Sequence, residues 1–572
     1  MSCTLNSIPF QPAANIDVSI CHEQLNLVYL TAESTHSLSA TTLIGRFTFP
    51  YQGTESIIGD GFQMLAQTGG TIEQPQAIGR CPDNNSEYRI YPHDAPNRYY
   101  NYLVIEQEGQ FTLFGFTSCH CFAGYFEIHD QSIYAFIDGE HCVFKPDTAN
   151  GITLEQIVTV VGSNLQDVYQ SFTKAINRNH PKRNDTQRSP VGWCSWYAYY
   201  AEVSASDIEQ NIRCMTGENK NIEWVLLDDG YQAYMGDWLT PSERFSDGIQ
   251  TVIAKIKQQG KQPGIWLAPF IAEPSSEIFK QHPNWFVCHK EGELLKAETV
   301  TYGGWRCTPW YILDTSHPEV QAHLTSVVKT MREEWGVELF KLDANYWGTL
   351  KGARYQKDCT GVAAYRLGME AIAKGAGSAW LLGCNAPMWP SLGLVDAMRV
   401  SDDVERNPHR FSQIAQETFY RSWQHLALWH IDPDCVTLID LASQKTSHNS
   451  YLFHRDVVLA SGGLLLSGDP LAHWTPFAQQ SFHRLVERQC QTPNSAEFND
   501  LSLAQAELIL DKQQTLYIGF NYNDANARTV TFDAQGNKDW FDFWTGECVA
   551  TSVSIYQVQL SPGLNSCSVV AR

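Results

Sequence analysis

The alternation of apolar and polar positions changes period twice along this chain. Up to about residue 160 the period is two, the signature of half-buried strands. Tyr102-Leu103-Val104-Ile105 and Phe111-Thr112-Leu113-Phe114 flank a turn at Glu108-Gly109, and Tyr125–Ile128 and Ile133–Ile137 continue the pattern. A β-sandwich is the architecture this predicts. A helix is expected near 164–177, followed by a polar, Pro-containing linker from Arg178 to Pro190.

From Val191 onward, short apolar runs alternate with amphipathic helical stretches. Eight strands are predicted, over Val191–Trp196, Trp224–Leu227, Gly264–Pro269, Leu339–Asp343, Trp380–Cys384, Ala397–Ser401, Leu426–Ile431 and Leu464–Ser467. Between the first two, Ser206-Asp207-Ile208-Glu209 reads as a capping box, with Ile208, Ile212 and Met215 at helical spacing. Between the next two, Val252, Ile253 and Ile256 share a helix face that stops at Gly260. Eight β/α units predict a TIM barrel, with a doubly wound open sheet as the alternative. From about 490 the period returns to two, in Thr515–Phe520, Thr529–Phe532 and Val558–Leu560. The fold class is therefore multidomain α/β. A β-sandwich with its terminal helix and linker occupies 1–180, a (β/α)8 barrel 190–485, and a small antiparallel β domain, expected as a sandwich, 490–572.

Composition narrows the function. A formal net charge of −22 argues against nucleic acid and anionic membrane partners, which need basic patches. It suits a neutral substrate. No apolar run approaches 18 residues, and Met1-Ser2-Cys3-Thr4-Leu5 lacks the basic-then-apolar pattern of a signal peptide, so a cytoplasmic protein is expected. The 16 Cys are scattered, as free thiols would be. Cys119-His120-Cys121 lacks a second ligand pair, and no Gly-rich phosphate loop precedes a helix, so neither metal nor organic cofactor is expected.

In such a barrel the chemistry sits at the C-terminal ends of the strands. Strand four ends in Phe340-Lys341-Leu342-Asp343, whose lysine and carboxylate, two apart, share one face. The cation favours an ionised carboxylate, a candidate nucleophile. Asp403 ends strand six, and two carboxylates on strand ends are what glycosidic bond cleavage requires. Asp228 and Asp229 end strand two, Cys384 strand five, and Arg399 lies on strand six. Alone, each could be a turn, a cap or a structural ion pair; their joint placement points to a polyol site. His430 reads as a hydrogen-bonding or core histidine.

Gly192-Trp193-Cys194-Ser195-Trp196-Tyr197, Leu227-Asp228-Asp229-Gly230-Tyr231, Phe340-Lys341-Leu342-Asp343 and Arg399-Val400-Ser401-Asp402-Asp403, in this order, resemble glycoside hydrolase family 36. These are α-galactosidases in the same clan as family 27, and the likeness is to the shorter bacterial and thermophile-type members. The resemblance implies Asp343 as nucleophile and Asp403 as acid/base, with Asp402 second choice because its spacing is off by one. It implies Asp228 and Asp229 on O4 and O6 of galactose, Lys341 on O3 and O4, and Arg399 on O2 or O3. Cys384 would lie near C2, Trp196 would stack, and Trp305 would wall the pocket. The expected partner is an α-galactoside. Galactosyl transfer and α-N-acetylgalactosaminidase activity are the enzymatic alternatives, and a carbohydrate-binding protein the non-enzymatic one. Where larger members carry Trp-x-Glu-Pro this chain has Trp266-Leu267-Ala268-Pro269. Their contacts there are therefore not carried over, nor is their tetramer, although a homo-oligomer is compatible with the sequence.

Overall fold

Two residues with left-handed backbone, Glu108 (φ 52°) and Gly109 (φ 75°), turn the chain between strands Tyr99–Gln107 and Gln110–Phe116. Positive φ at both central positions matches the right-handed twist of the flanking strands, and Leu113 pairs with Val104 across the hairpin. The structure is a computed structural model and describes residues 3–5, 8–24, 27–34, 37–38, 41–140, 142 and 151–572. The chain divides into two compact units. One comprises Met1–Arg183, Gln232–Glu243 and Trp266–Asp396, the other Asn184–Tyr231, Arg244–Ile265 and Ala397–Arg572.

The N-terminal strands form a sandwich-like, 14-stranded sheet system, mostly antiparallel neighbours. Its interior is aromatic: Phe47, Phe114 and Phe126 are fully buried, with Phe47 and Phe114 ring centroids 5.1 Å apart. Helix Leu165–Asn179 follows, capped by Asn164 Oδ1, which accepts the Asp167 N–H at 3.0 Å. Its buried face includes Phe172, which packs on Tyr102 and Trp389 in the same unit.

The eight predicted barrel strands are all present. They span Val191–Cys194, Trp224–Leu227, Gln262–Leu267, Leu339–Leu342, Trp380–Gly383, Ala397–Arg399, His430–Asp432 and Leu465–Ser467, and are called barrel strands one to eight. They follow one another around a single eight-stranded sheet, with the eighth beside the first. The registers are parallel, for example Trp193 with Val225 and Phe340 with Leu381. The Leu464 N–H donates to Ile431 O at 2.9 Å, bringing the eighth strand against the seventh and closing the barrel. The open-sheet alternative is excluded.

Two local expectations need correction. The capping box lies at Ser204 and Asp207, not at Ser206 and Glu209. Both serines precede an acid by three residues, but Ser204 has the extended backbone (φ −125°, ψ 164°) that a cap needs, while Ser206 is already inside helix Ala205–Cys214. Barrel strand seven starts at His430 rather than Leu426, because Leu426 is left-handed (φ 59°) and its N–H turns back to Trp429 O. The helix after strand two matches its reading. Val252, Ile253 and Ile256 are buried in Ile249–Gln258, and Gly260 follows with φ 71°.

The C-terminal residues form a six-stranded antiparallel sheet dominated by the hairpin Arg528–Asp542 and Cys548–Leu560, over a core of Tyr517, Val530, Phe532, Trp540 and Leu560. Among the described residues, no helix is long and apolar enough to cross a membrane.

Candidate active site

In the first unit, Asp343 lies immediately beyond barrel strand four, and its own N–H is fixed by Leu267 O at 2.8 Å. Three N–H donors converge on its carboxylate. Trp266 Nε1 reaches Oδ2 at 3.0 Å, Asn385 Nδ2 reaches Oδ1 at 2.8 Å, and the Ala344 N–H reaches Oδ1 at 2.7 Å. The donors come from the ends of strands three, four and five, so the barrel framework aims the group. Ala344 (φ 52°) and Asn385 (φ 41°) are both left-handed. For Ala344 this conformation costs on the order of 1–3 kcal/mol, a strain that persists only where the surroundings over-determine it. Here that strain turns the Ala344 N–H onto Asp343.

Lys341 is buried on strand four, in sequence between the fully buried Phe340 and Leu342. Cys384 is buried just past strand five, its N–H on Leu342 O at 2.8 Å. Trp305 is half-buried and meets Trp310 edge-on at 4.7 Å and Trp347 at 6.1 Å, two rings that are themselves fully buried. Trp266 belongs to the Trp266-Leu267-Ala268-Pro269 segment at the end of strand three, and its role as a donor follows only from the fold. A Trp266→Phe substitution keeps the ring against Trp238 but removes the donor to Asp343. A hydrogen bond to a charged group contributes roughly 1.5–3 kcal/mol, so kcat should fall about 10- to 100-fold while the melting temperature changes little. Initial rates beside thermal melts check this; an unchanged kcat would remove Trp266 from the site.

In the second unit, the Asp228-Asp229-Gly230 turn follows strand two. Asp228 receives the Cys194 thiol on Oδ2 at 3.4 Å and the Asp229 N–H on Oδ1 at 2.9 Å, and its own N–H bonds Ser195 Oγ. Both aspartates are buried. Gly230 has φ 118°, and a Cβ there would lie 2.5 Å from Ala201 O, so this turn requires glycine. Trp196 opens a one-turn helix after strand one and is half-buried, edge-on to Tyr200 at 5.3 Å.

Arg399, on strand six, is almost wholly buried. Its Nη2 donates to Asp403 Oδ1 at 2.9 Å and to Asp434 Oδ2 at 2.8 Å. Asp403 keeps 46% of its side chain exposed, while Asp402 beside it is tied down. Asp402 accepts from Arg410 Nη1 at 2.7 Å and from the Asp403 N–H at 2.7 Å, and its own N–H bonds Glu417 Oε2. Burial and the neighbouring Asp402 charge push the Glu417 carboxyl up to about 7. Asp434 and Glu417 stand outside the sequence motifs, and Tyr197 closes the first of them without an assigned role. Asp434 stands two residues beyond strand seven, so the strand-end rule could have found it.

His430 is a satisfied core histidine: Nδ1 meets Ser189 Oγ at 2.8 Å and Nε2 meets Thr186 O at 2.9 Å. At Cys119-His120-Cys121, the N–H groups of His120, Cys121 and Phe122 all donate to Glu155 Oε1, which makes this segment a carboxylate-capped turn. A cavity of about 470 Å³ in the first unit is lined by Phe62, Arg89, Glu140, Tyr346 and Lys351, among others, and by none of the site residues read from the sequence.

Carboxylates, a lysine and an arginine stand at or just beyond the C-terminal ends of parallel barrel strands, the end where this fold carries its chemistry. The family model described as Melibiase matches residues 153–380. An α-galactosidase from Escherichia coli is 33% identical over 73 residues, 12% of this chain and 10% of that protein, so the match covers only a small part of its length. TtGalA, an α-galactosidase from Thermus thermophilus solved with p-nitrophenyl α-D-galactopyranoside, superposes with a TM-score of 0.67 at 21% identity, covering 86% of this chain and 94% of that one. AgaA from Geobacillus stearothermophilus, a family 36 α-galactosidase, gives a TM-score of 0.68 at 13% identity, covering 97% and 81%. The resemblance to family 36 carried by the four motifs is borne out by these matches, and the fold is that of these enzymes.

Proposed function

We propose that the protein is a retaining, exo-acting α-galactosidase that removes terminal α-D-galactosyl residues from oligosaccharides or glycosides. The observation that carries this reading is Asp343: a carboxylate at the end of barrel strand four, oriented by three N–H donors. A group so fixed is prepared for attack on one atom of a bound substrate. Asp343 attacks the anomeric carbon as Asp403 gives its proton to the leaving oxygen, forming a β-galactosyl-enzyme. Asp403 then takes a proton from water, which attacks the same carbon and releases α-galactose. Lys341, Arg399, Asp228 and Asp229 bind hydroxyls, Cys384 lies toward C2, and Trp196 and Trp305 cover the C–H faces. The half-exposed Asp403 suits a group that must exchange protons with water, whereas Asp402 is occupied by Arg410. TtGalA has also been solved with stachyose, an oligosaccharide of the expected class.

Proton NMR during cleavage of p-nitrophenyl α-galactoside or raffinose tests the proposal. The α-anomer of galactose should appear first and mutarotate afterwards. The β-anomer appearing first would exclude retention, and absence of cleavage would exclude the activity. Run beside these, the 2-acetamido analogue should be a poor substrate, and added sucrose should not divert the product to transfer.

A further inference from the structure

The proposed acid must hold a proton when the glycosidic bond breaks, yet Asp403 Oδ1 lies 2.9 Å from a guanidinium nitrogen. An adjacent cation favours the ionised carboxylate and works against that proton. The second unit also holds an opposing group. The same Nη2 of Arg399 donates to Asp434 Oδ2 at 2.8 Å, so one cation is divided between two carboxylates. Two further donors meet on that oxygen, the Tyr197 hydroxyl and the Val404 N–H, the latter at 2.7 Å. Val404 follows Asp403 directly, so Asp434 also pins the backbone that presents the acid. Asp434 is itself held from strand seven, with left-handed backbone (φ 73°) and its N–H on Asp432 Oδ1 at 3.0 Å.

We propose that Asp434 is a positioning residue that sets the protonation of Asp403, by drawing Arg399's charge away from it and adding a negative charge beside it. This rests on the reading of Asp403 as acid/base. The charged and titratable groups facing Asp434 within its unit are Arg399, Asp403, Asp432, Tyr197 and Cys435. Burial raises the Asp434 carboxyl, the Asp403 and Asp432 charges add to this, and Arg399 and Tyr197 oppose it. The two carboxylates that share Arg399 therefore titrate as a coupled pair. When Asp434 is charged, its negative charge and its share of Arg399 both oppose ionisation of Asp403.

The test is the Asp434→Asn variant of the full chain, which keeps a side-chain oxygen for Arg399 and Val404 but loses the charge. With Arg399 left to Asp403, the acid loses its proton earlier, so the alkaline limb of the kcat/KM profile for raffinose should move down by about one pH unit. With an α-galactosyl fluoride, whose leaving group needs little protonation, the rate at neutral pH should stay within about twofold of the wild type. A merely structural role would depress both substrates alike and leave the limb in place, and either result overturns the inference. Should Asp434→Asn not fold, Tyr197→Phe serves. Asp434 then holds its charge less well, and the limb should move the same way by less; an unmoved limb overturns the inference here too. If the wild type cleaves neither substrate, the reading of the activity fails first and takes this inference with it.

Discussion

Replacing Asp343 by alanine is expected to lower kcat for every α-galactoside by about 10⁴-fold or more, whatever the leaving group. The reason is geometric. Trp266, Asn385 and Ala344 direct their N–H groups at this one carboxylate, and an alanine there has no oxygen to receive them or to attack the substrate. The loss should be in chemistry rather than in folding, because Trp266 remains packed on Trp238 and the Asp343 main chain remains bonded to Leu267. Added azide is small enough to attack the anomeric carbon from the vacated side. It should restore turnover and give β-galactosyl azide, with inverted configuration. Rates across leaving groups and the configuration of the azide product check this. Full activity in the alanine variant would remove Asp343 from the reaction.

The second large effect is expected at Asp403, with a different dependence on substrate. Asp403→Ala removes the proton donor, so kcat/KM for raffinose should fall by about 10²- to 10⁴-fold. For an activated aryl α-galactoside, whose leaving group departs as an anion, kcat/KM should change little. Its kcat should still fall, because the glycosyl-enzyme now waits for water without a base. Azide should relieve that second step and give α-galactosyl azide, with retained configuration. The two variants thus yield azides of opposite configuration, which separates the nucleophile from the acid/base without reference to rates. Equal losses on raffinose and on the activated substrate would contradict the assignment and turn attention to Asp402.

Much of the scaffold was legible because apolar period and strand-end chemistry are local signals. Strand two was read to the residue, and strand four to within one. Where the reading slipped, two local signals competed. Ser204 and Ser206 both precede an acid by three, and only backbone geometry chooses between them. Leu426 to Trp429 is apolar enough for a strand, but Leu426 adopts a left-handed turn.

The least legible part was the arrangement of partners around each charge. Trp266 and Asp343 are 77 residues apart and meet only because strands three and four are neighbours. Arg399 reads naturally as the partner of Asp403, four residues on. That it also binds Asp434, 35 residues on, depends on the pairing of strands six and seven. Asp434 sits after a proline in Ile431-Asp432-Pro433-Asp434, which reads as an ordinary turn. Its burial, not its spacing, distinguishes it.

The central claim is that Asp343 becomes covalently linked to galactose during turnover. The most direct measurement is intact-protein and peptide mass spectrometry after incubation with a 5-fluoro-α-galactosyl fluoride. The fluorine slows release of the intermediate more than its formation when deglycosylation is the step left to water. The account predicts one fluorogalactosyl group per chain, carried by the peptide that contains Asp343 and absent from the Asp343→Ala variant. An unmodified protein that still turns over the fluoride, or a label on any other residue, would contradict it.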